Sequence, residues 1–352
     1  MIMAHRPISV GIVGAGFIGQ LAHIANYAQI KDCRIVALAA GRPELRRKVA
    51  QRYGIPRTYS THQELLKDPQ VEAVVAVTAR PGIGPVALDC LKAGKHLLTE
   101  KPMASTLQQA EKLVGAQPEH KTYAVGYMKR YDAGVQKAKK ILDELLRTGE
   151  LGPILYARVH CFAGDAYCKA DGYIVTDEKK TTDWETWGLA PDWVPDDQKQ
   201  EYHQYLNMYC HDINLLRYLF GKTPVVSRVQ FNDPGHQLAM LDFGEYSALL
   251  ETGSFPGRAW DENAEIYFAN GRLRIELPPA LLRNVPAKVE LYKGSIQVTS
   301  LPQSEPSWSF QRQAEAFIQD AAQGRASVSS GADSLEDIRL IETMWKMKLK
   351  NS

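Results

Sequence analysis

Up to about residue 125, short apolar runs alternate with segments in which apolar residues recur every three to four positions. The first pattern is typical of strands buried in a parallel sheet, and the second is typical of amphipathic helices. The predicted strands are 8–13, 34–39, 71–78 and 96–99, and the predicted helices are 20–29, 43–53, 85–93 and 106–114. Strands separated by helices of about 10–15 residues indicate βαβ units and therefore a doubly wound sheet.

After a further helix at 133–148, the pattern changes to successive short strands separated by turn signals such as Asn270-Gly271 and Asp233-Pro234-Gly235. Strands that follow one another through tight turns favour a mostly antiparallel sheet. The predicted strands are 154–163, 225–232, 237–243, 247–255, 264–269 and 272–277, and two closing helices are predicted at 309–323 and 334–350.

The two patterns predict an α/β fold with two domains. Residues 1–125 are expected to form a Rossmann dinucleotide-binding domain with a doubly wound parallel sheet. Residues 126–352 are expected to form an α+β domain with a large, mostly antiparallel open sheet, which binds the substrate and mediates oligomerisation. Because an open sheet with one solvent face is usually covered, we expect a homodimer or a homotetramer.

Composition and charge narrow the class of protein. With 352 residues, 45% hydrophobic and 23% charged, the chain fits two globular domains. The net charge is +2 and no basic run is interleaved with aromatics, which argues against a nucleic-acid or membrane-surface partner. The five cysteines are scattered and never spaced as C-x-x-C, so we expect reduced structural thiols, no metal site and a cytoplasmic location. No segment approaches the run of about 18 apolar residues that a membrane span needs.

A strand at the start of the chain runs directly into Gly14-Ala15-Gly16-Phe17-Ile18-Gly19, which has the spacing Gly-x-Gly-x-x-Gly. Gly14 permits the tight turn, Gly16 lets the backbone approach a pyrophosphate, and Gly19 lets the helix pack on the strand. Because the motif follows a strand and opens a helix, it indicates dinucleotide binding more strongly than a merely structural turn. The predicted cofactor-binding residues are Gly14, Gly16, Phe17, Ile18, Gly19, Arg42, Thr78, Glu100 and Lys101.

The second predicted strand ends in Ala39-Ala40-Gly41-Arg42-Pro43, where an NAD-binding protein usually carries an acid for the ribose 2′-hydroxyl. The small residues leave room for a 2′-phosphate, and Arg42 can pair with it. This end of the strand therefore favours NADP over NAD. The alternative is that Arg42 is solvated and that Glu44 binds the ribose.

Glu100-Lys101-Pro102 follows a buried strand at the edge where an open α/β sheet meets its ligand. A lysine in a loop is normally a solvated surface charge. Here a bound, positively charged nicotinamide would disfavour the ammonium form of Lys101, which can then orient a substrate hydroxyl or transfer its proton. We therefore take Lys101 as a candidate catalytic residue.

A later helix, predicted from Leu206 to Gly221, carries Asn207 and His211 four residues apart and hence on one face. A lone helical histidine is more often a packing residue, but this polar pair is a candidate for catalysis and substrate binding. The aromatic-rich stretch from Asp165 to Tyr205 predicts a substrate lid, with Asp165 as a candidate substrate contact, or alternatively an oligomer contact.

The glycine turn, Glu100-Lys101-Pro102, the segment from Val125 to Tyr131 and the Asn207/His211 helix occur in that order. Together they resemble the glucose–fructose oxidoreductase / inositol dehydrogenase family over nearly the whole chain. The resemblance implies an NAD(P)-dependent enzyme that oxidises or reduces a secondary alcohol of a sugar, cyclitol or related polyol.

The resemblance also implies roles for single residues. It makes Lys101 catalytic and His211 the proton acceptor or donor, and it places Met128 and Lys129 beside the substrate. Asn207 stands where the family usually carries an acid, so its expected role is to position a hydroxyl by hydrogen bonding. Asn214 likewise stands where many members carry a second acid.

The sequence thus predicts hydride transfer between NAD(P) and a substrate carbinol, with Lys101 and His211 handling the hydroxyl proton. Two alternatives remain at this point. One is a redox-neutral enzyme that keeps its cofactor bound and uses transient oxidation for isomerisation, elimination or glycoside cleavage. The other is a non-catalytic sensor of a dinucleotide or sugar, against which the presence of both Lys101 and His211 argues.

Overall fold

The computed structural model describes residues 6–164, 170–179, 184–232, 235–254, 257 and 259–351. The chain divides into two compact units. The first comprises residues 1–127, 171–204 and 310–338, and the second comprises 128–170, 205–309 and 339–352. Residues 171–204 and 310–338, which lie beyond the predicted boundary at residue 125, therefore belong to the first unit.

The first unit is built on a parallel sheet whose six described strands lie in the order β3-β2-β1-β4-β5-β6. The strands are β1 Ile8–Val13, β2 Cys33–Ala39, β3 Arg57–Tyr59, β4 Ala73–Ala76, β5 His96–Thr99 and β6 Tyr123–Val125. The central strands β4 and β5 are buried along their whole length, as expected for strands covered on both faces. The predicted doubly wound sheet is confirmed.

The predicted helices 43–53, 133–148 and 309–323 have the bounds that the structure shows, and the other predicted helices differ from the observed ones at their ends. The helices are α1 Ala25–Tyr27, α2 Pro43–Tyr53, α3 His62–Leu66, α4 Arg80–Lys92, α5 Leu107–Gly115, α6 Ala133–Thr148, α7 Lys199–Phe220, α8 Ser309–Gln323 and α9 Gly331–Asn351. The helix predicted at 20–29 begins as a π-helical turn at Gly19–Ile24, which leads into α1. The sequence patterns missed β3, β6 and α3, which are too short to show a period.

Helix α4 begins at Arg80, five residues before its predicted start, although Pro85 lies inside it. Pro81 stands in the first turn, where its fixed φ is favourable. Because Pro85 has no N–H, the carbonyl of Pro81 loses its helical partner. The backbone N–H of Trp187 donates to that carbonyl at 2.8 Å instead, so a distant segment supplies the missing bond.

The second unit contains a sheet of eight described strands in the order β14-β13-β12-β11-β7-β10-β9-β8. The strands are β7 Ile154–Ala163, β8 Val225–Asn232, β9 His236–Asp242, β10 Ser247–Ser254, β11 Trp260–Phe268, β12 Gly271–Glu276, β13 Lys288–Lys293 and β14 Val298–Ser300. Strands β7 and β10 pair in parallel, and the other neighbouring pairs are antiparallel. The predicted mostly antiparallel sheet is confirmed, with β13 and β14 as strands that the sequence patterns missed.

The four described cysteines Cys33, Cys90, Cys161 and Cys210 form no disulfide. Burial raises the pKa of the Cys33 thiol to about 12, so this thiol stays protonated. Over the described residues, no helix has both the length and the apolar character that a bilayer crossing requires.

Candidate functional site

The register of the first sheet brings the glycine turn and Glu100-Lys101 to the same edge. Val13 pairs with Ala76, and Ala76 pairs with Thr99, so β1, β4 and β5 end level with one another. Since all three strands are parallel, the residues that follow them leave the sheet at its carboxyl edge. The strand order reverses between β1 and β4, which is where open α/β sheets bind ligands.

A cavity of about 270 Å³ lies at this edge. Six of the predicted cofactor-binding residues line it, namely Gly14, Gly16, Ile18, Gly19, Arg42 and Thr78. Phe17, Glu100 and Lys101 are not among its lining residues. The Phe17 ring instead contacts the edge of Tyr173, with ring centroids 5.0 Å apart.

The cavity fits the pyrophosphate and sugar of a dinucleotide in three respects. Gly14 has φ +101°, and a Cβ there would overlap the carbonyl oxygen of Val77, so only glycine forms this turn. A Cβ on Gly16 would meet no atom of the described residues within 4 Å, which leaves the backbone open to a ligand. Thr78 lines the cavity, and its buried Oγ1 has no hydrogen-bond partner among the described residues.

Alanine at Gly14 and at Gly16 should therefore have different effects. Gly14→Ala forces a strained backbone onto an L-residue and a clash with Val77, so we expect a loss of at least about 1–3 kcal/mol in the free energy of unfolding. Gly16→Ala should leave that free energy unchanged but weaken NAD(P) binding about tenfold or more, because the methyl group stands where the pyrophosphate approaches. Chemical denaturation and calorimetric titration measure the two effects. Equal stability of both variants would contradict this assignment.

Glu100 is held by a residue that the sequence analysis did not find. His23 Nε2 lies 2.8 Å from Glu100 Oε1, and the backbone N–H of Lys101 donates to Glu100 Oε2 at 3.2 Å. Burial raises the pKa of the Glu100 carboxyl, but the hydrogen bond and charge of His23 and the charge and N–H of Lys101 outweigh it, so the pKa is lowered. The His23 ring also contacts the edge of Phe310. Glu100 is thus an ionised group that fixes the turn carrying Lys101.

Lys101 is half-buried directly after β5, and its peptide bond to Pro102 is cis. Lys101 belongs to the first unit, whereas Asn207 and His211 belong to the second. The approach of these residues to one another therefore stays a prediction of the sequence.

Helix α7 carries Asn207 and His211 four residues apart, both half-buried, in agreement with the predicted single face. Asn214 on the same helix has a structural contact. Its Oδ1 accepts a hydrogen bond of 2.6 Å from Arg130 Nε, and the Arg130 guanidinium lies 5.4 Å from the centre of the Tyr218 ring. This contact ties the short 3₁₀ turn Met128–Tyr131 to α7.

The predicted substrate contacts Met128 and Lys129 are both buried in the second unit. Lys129 Nζ forms an ion pair with Glu262 and lies 3.6 Å from Asp212 Oδ1, and both carboxylates are fully buried. Burial raises the pKa of the Asp212 carboxyl, although the charge and hydrogen bond of Lys129 act against this. Their contact with substrate stays a prediction, as does that of Asp165, which lies outside the described residues.

Asp212 and Glu262, together with Cys161, also form the group of described side chains closest to a metal-binding arrangement. Their ligand atoms lie within 4.8 Å of one another, and all three residues are buried. The Lys129 ammonium already lies beside both carboxylates, so a cationic group of the chain itself offsets part of their negative charge. Burial, with the nearby Asp212 charge, raises the pKa of the Cys161 thiol, which disfavours the thiolate that a metal would need.

Within the first unit, the described part of the aromatic-rich stretch packs against the segment after the glycine turn and against helix α4. Gln20 and the backbone of Ile174 exchange two hydrogen bonds, of 2.8 and 3.0 Å. Trp184 lines the cavity, and its Nε1 would lie 2.9 Å from a Cβ on Gly82. Trp187 lies against Gly84, where a Cβ would overlap its ring. This segment therefore covers part of the nucleotide cavity, as a lid on that unit would.

Comparison with known proteins gives the same picture of the first unit. Residues 8–127 match the family model described as an oxidoreductase family with an NAD-binding Rossmann fold. A curated inositol 2-dehydrogenase/D-chiro-inositol 3-dehydrogenase of Shouchella clausii is 32% identical over 157 residues, which are 44% of this chain and 44% of that protein. The matched stretches span less than half the length of the first curated relatives.

Two solved structures share the fold of the whole chain. An aldose-aldose oxidoreductase from Caulobacter crescentus complexed with glycerol has a TM-score of 0.77 at 21% identity and covers 99% of both chains. A levoglucosan dehydrogenase in complex with NADH and levoglucosan has a TM-score of 0.77 at 20% identity, covering 99% of this chain and 98% of that one. At this identity the likeness shows the two-domain α/β fold.

Proposed function

We propose that the chain belongs to the glucose–fructose oxidoreductase / inositol dehydrogenase family, since its residues 8–127 match the model of an oxidoreductase family with an NAD-binding Rossmann fold, and that it is an NAD(P)-dependent dehydrogenase or reductase acting on CH–OH groups. The proposed substrate is a secondary alcohol or ketone of a sugar, cyclitol or related polyol. The observation that carries the proposal is the shared sheet edge, where Lys101 follows β5 level with the glycine turn after β1.

In the proposed mechanism, Lys101 and His211 share the transfer of the hydroxyl proton. One of them accepts it while the carbinol is oxidised, and the other polarises the same oxygen; the reverse reaction returns the proton. Asn207 positions a neighbouring hydroxyl through its amide, which can both donate and accept hydrogen bonds. Glu100, fixed by His23, holds the backbone of Lys101. The bound nicotinamide supplies the hydride acceptor or donor.

The proposal is tested with a panel of sugars, cyclitols and glycosides, each offered with NAD⁺ and with NADP⁺, while absorbance at the nicotinamide band is followed. We expect reduction of the dinucleotide with at least one cyclic polyol. A protein that binds the dinucleotide but reduces it with none of these substrates, and whose reduced form acts on none of the matching ketones, would contradict the proposal.

The aromatic-rich segment that covers part of the cavity supports a second candidate function, that of a redox-neutral enzyme that keeps its cofactor bound. The Gln20–Ile174 pair and Trp184 hold the segment over the nucleotide cavity, which would slow exchange of a bound dinucleotide. In that case the purified protein should carry one dinucleotide per chain through extensive dialysis. It should also convert a sugar or glycoside without accumulating free NAD(P)H.

The assembly and location of the protein remain proposals. We propose a homodimer or homotetramer formed through the open sheet of the second unit. One face of that sheet carries cross-strand pairs such as His160–Glu251 at 2.8 Å and Arg158–Glu265 at 3.3 Å, and large side chains such as Leu155 are exposed. Light scattering of the purified protein measures the number of chains. The cytoplasmic location follows only from the pattern of cysteines.

A further inference from the structure

A carboxylate from the covering segment binds the start of helix α2. Glu178 accepts two hydrogen bonds from consecutive backbone N–H groups, those of Glu44 and Leu45, each at 2.8 Å. The Thr176 hydroxyl donates to the same carboxylate at 3.0 Å. The N-cap residue of α2 is Arg42, whose side chain has no acceptor atom, so the distant Glu178 provides the cap.

This carboxylate binds the start of a helix that borders the cavity, although Glu178 itself is not among the lining residues. Arg42 and Leu45 both line the nucleotide cavity, and α2 begins directly after β2, whose end lacks the usual acid. Glu44, the acid considered for the ribose from the sequence, is engaged with Lys48 at 2.7 Å and is exposed. Glu178, which accepts from the N–H of the cavity-lining Leu45, is therefore the remaining candidate acid at this helix start.

Glu178 is charged and held in place. Burial raises the pKa of its carboxyl, but the two backbone N–H groups, the Thr176 hydroxyl and the Arg42 charge outweigh it and lower the pKa. The residues before it are anchored on the same unit, Ile174 by Gln20, Tyr173 by Phe17, and the Gly172 carbonyl by Arg52 Nη1 at 2.7 Å.

We infer that Glu178 determines the choice of cofactor, by accepting the ribose hydroxyls of NAD and by excluding the 2′-phosphate of NADP. The inference rests on the proposed NAD(P)-dependent function and concerns which dinucleotide that site takes. It reverses the preference for NADP that Arg42 alone indicates, because the N–H groups at the start of α2 already bind a carboxylate.

The physical reason is competition between two anions. A phosphate monoester carries a charge of about −1.5 to −2 and seeks the N–H groups at a helix start together with an arginine. At α2 those groups, the N–H donors of Glu44 and Leu45 and the charge of Arg42, already serve the Glu178 carboxylate. A neutral ribose diol has no charge to repel and can donate its hydroxyl protons to the carboxylate.

The test is the affinity of the full-length protein for NAD⁺ and for NADP⁺, measured by calorimetric titration without substrate. The unaltered protein should bind NAD⁺ more tightly. Glu178→Gln removes the charge and keeps an acceptor for the helix start, so the ratio of NADP⁺ to NAD⁺ affinity should rise about tenfold or more. Adding Arg42→Ala to that variant should remove most of the gain in NADP⁺ affinity.

The matched control is Asp177→Asn, which removes a charge from the exposed neighbouring residue and should leave the affinity ratio unchanged. Because the readout is a ratio, a general loss of stability in Glu178→Gln affects both nucleotides and cancels. If neither nucleotide binds to the unaltered protein, the proposed function fails. If NAD(P)⁺ binds but Glu178→Gln leaves the ratio as it was, the function stands and the role of Glu178 is refuted.

Discussion

Replacing Lys101 by alanine should lower the turnover of the alcohol substrate by about 10²–10⁴-fold, the range of a lost general acid or base. The dinucleotide should still bind, because Lys101 is not among the residues that line the nucleotide cavity. Steady-state kinetics give the turnover, and calorimetric titration with NAD⁺ gives the affinity. A loss of both together would show that Lys101 supports the cofactor site rather than the chemistry.

His211→Ala should reduce turnover in the same way, since His211 is the proposed partner in proton transfer. The control is Lys92→Ala, which removes an exposed lysine at the end of α4 and should change neither turnover nor affinity. If Lys101→Ala and His211→Ala both turn over the true substrate at the unaltered rate, the proposed proton transfer is wrong.

The second large effect is expected on stability, from Lys129→Met in the second unit. The variant leaves Asp212 and Glu262 buried without their counter-charge, and breaking a buried ion pair in this way costs about 3–5 kcal/mol. Chemical denaturation measures the loss. Lys139→Met is the matched control, because the Lys139–Asp143 pair on helix α6 is partly exposed and is worth only about 0.3–0.5 kcal/mol. Adding Glu262→Gln to Lys129→Met should restore part of the stability.

The loss caused by Lys129→Met should also depend on pH. The pKa of Asp212 in the folded protein is raised from its ordinary value of 3.8, so the folded protein keeps a proton that the unfolded chain releases. The free energy of unfolding therefore falls as the pH rises above that value. Removing Lys129 strengthens this effect, and the difference from the unaltered protein should be larger at about pH 8 than at about pH 5. A constant difference would show that a simple packing defect is the cause.

The parts of the fold that the sequence predicted well have strong local signals. Helix α2 begins at Pro43 and ends before Gly54 in a left-handed conformation, and α6 ends before Gly149 in the same way. Strand β7 alternates between buried and more exposed residues along most of its length. The glycine turn and Glu100-Lys101-Pro102 were also readable, because each is a continuous motif that follows an apolar strand.

The contacts of His23 and Glu178 join residues that are far apart in the chain, so no local sequence pattern predicts them. His23 and Glu100 are 77 positions apart, and Glu178 is 134 positions from Glu44. A histidine in a helix and a glutamate in an aromatic-rich stretch have many ordinary roles. The prediction of NADP from Arg42 rests on the end of the strand alone, whereas the inferred role of Glu178 depends on a carboxylate that no pattern near that strand reveals.

The hydrogen bond from Trp187 to the carbonyl of Pro81 bears on how far the nucleotide-binding part can be separated from the rest. A fragment ending at residue 127 would contain all six strands of the sheet but not the segment that satisfies the first turn of α4. It would also expose the hollows at Gly82 and Gly84 that Trp184 and Trp187 fill. The strands of the Rossmann sheet are therefore contiguous in sequence, but the unit that they form is not. A truncated or transplanted nucleotide-binding domain must include residues 171–204.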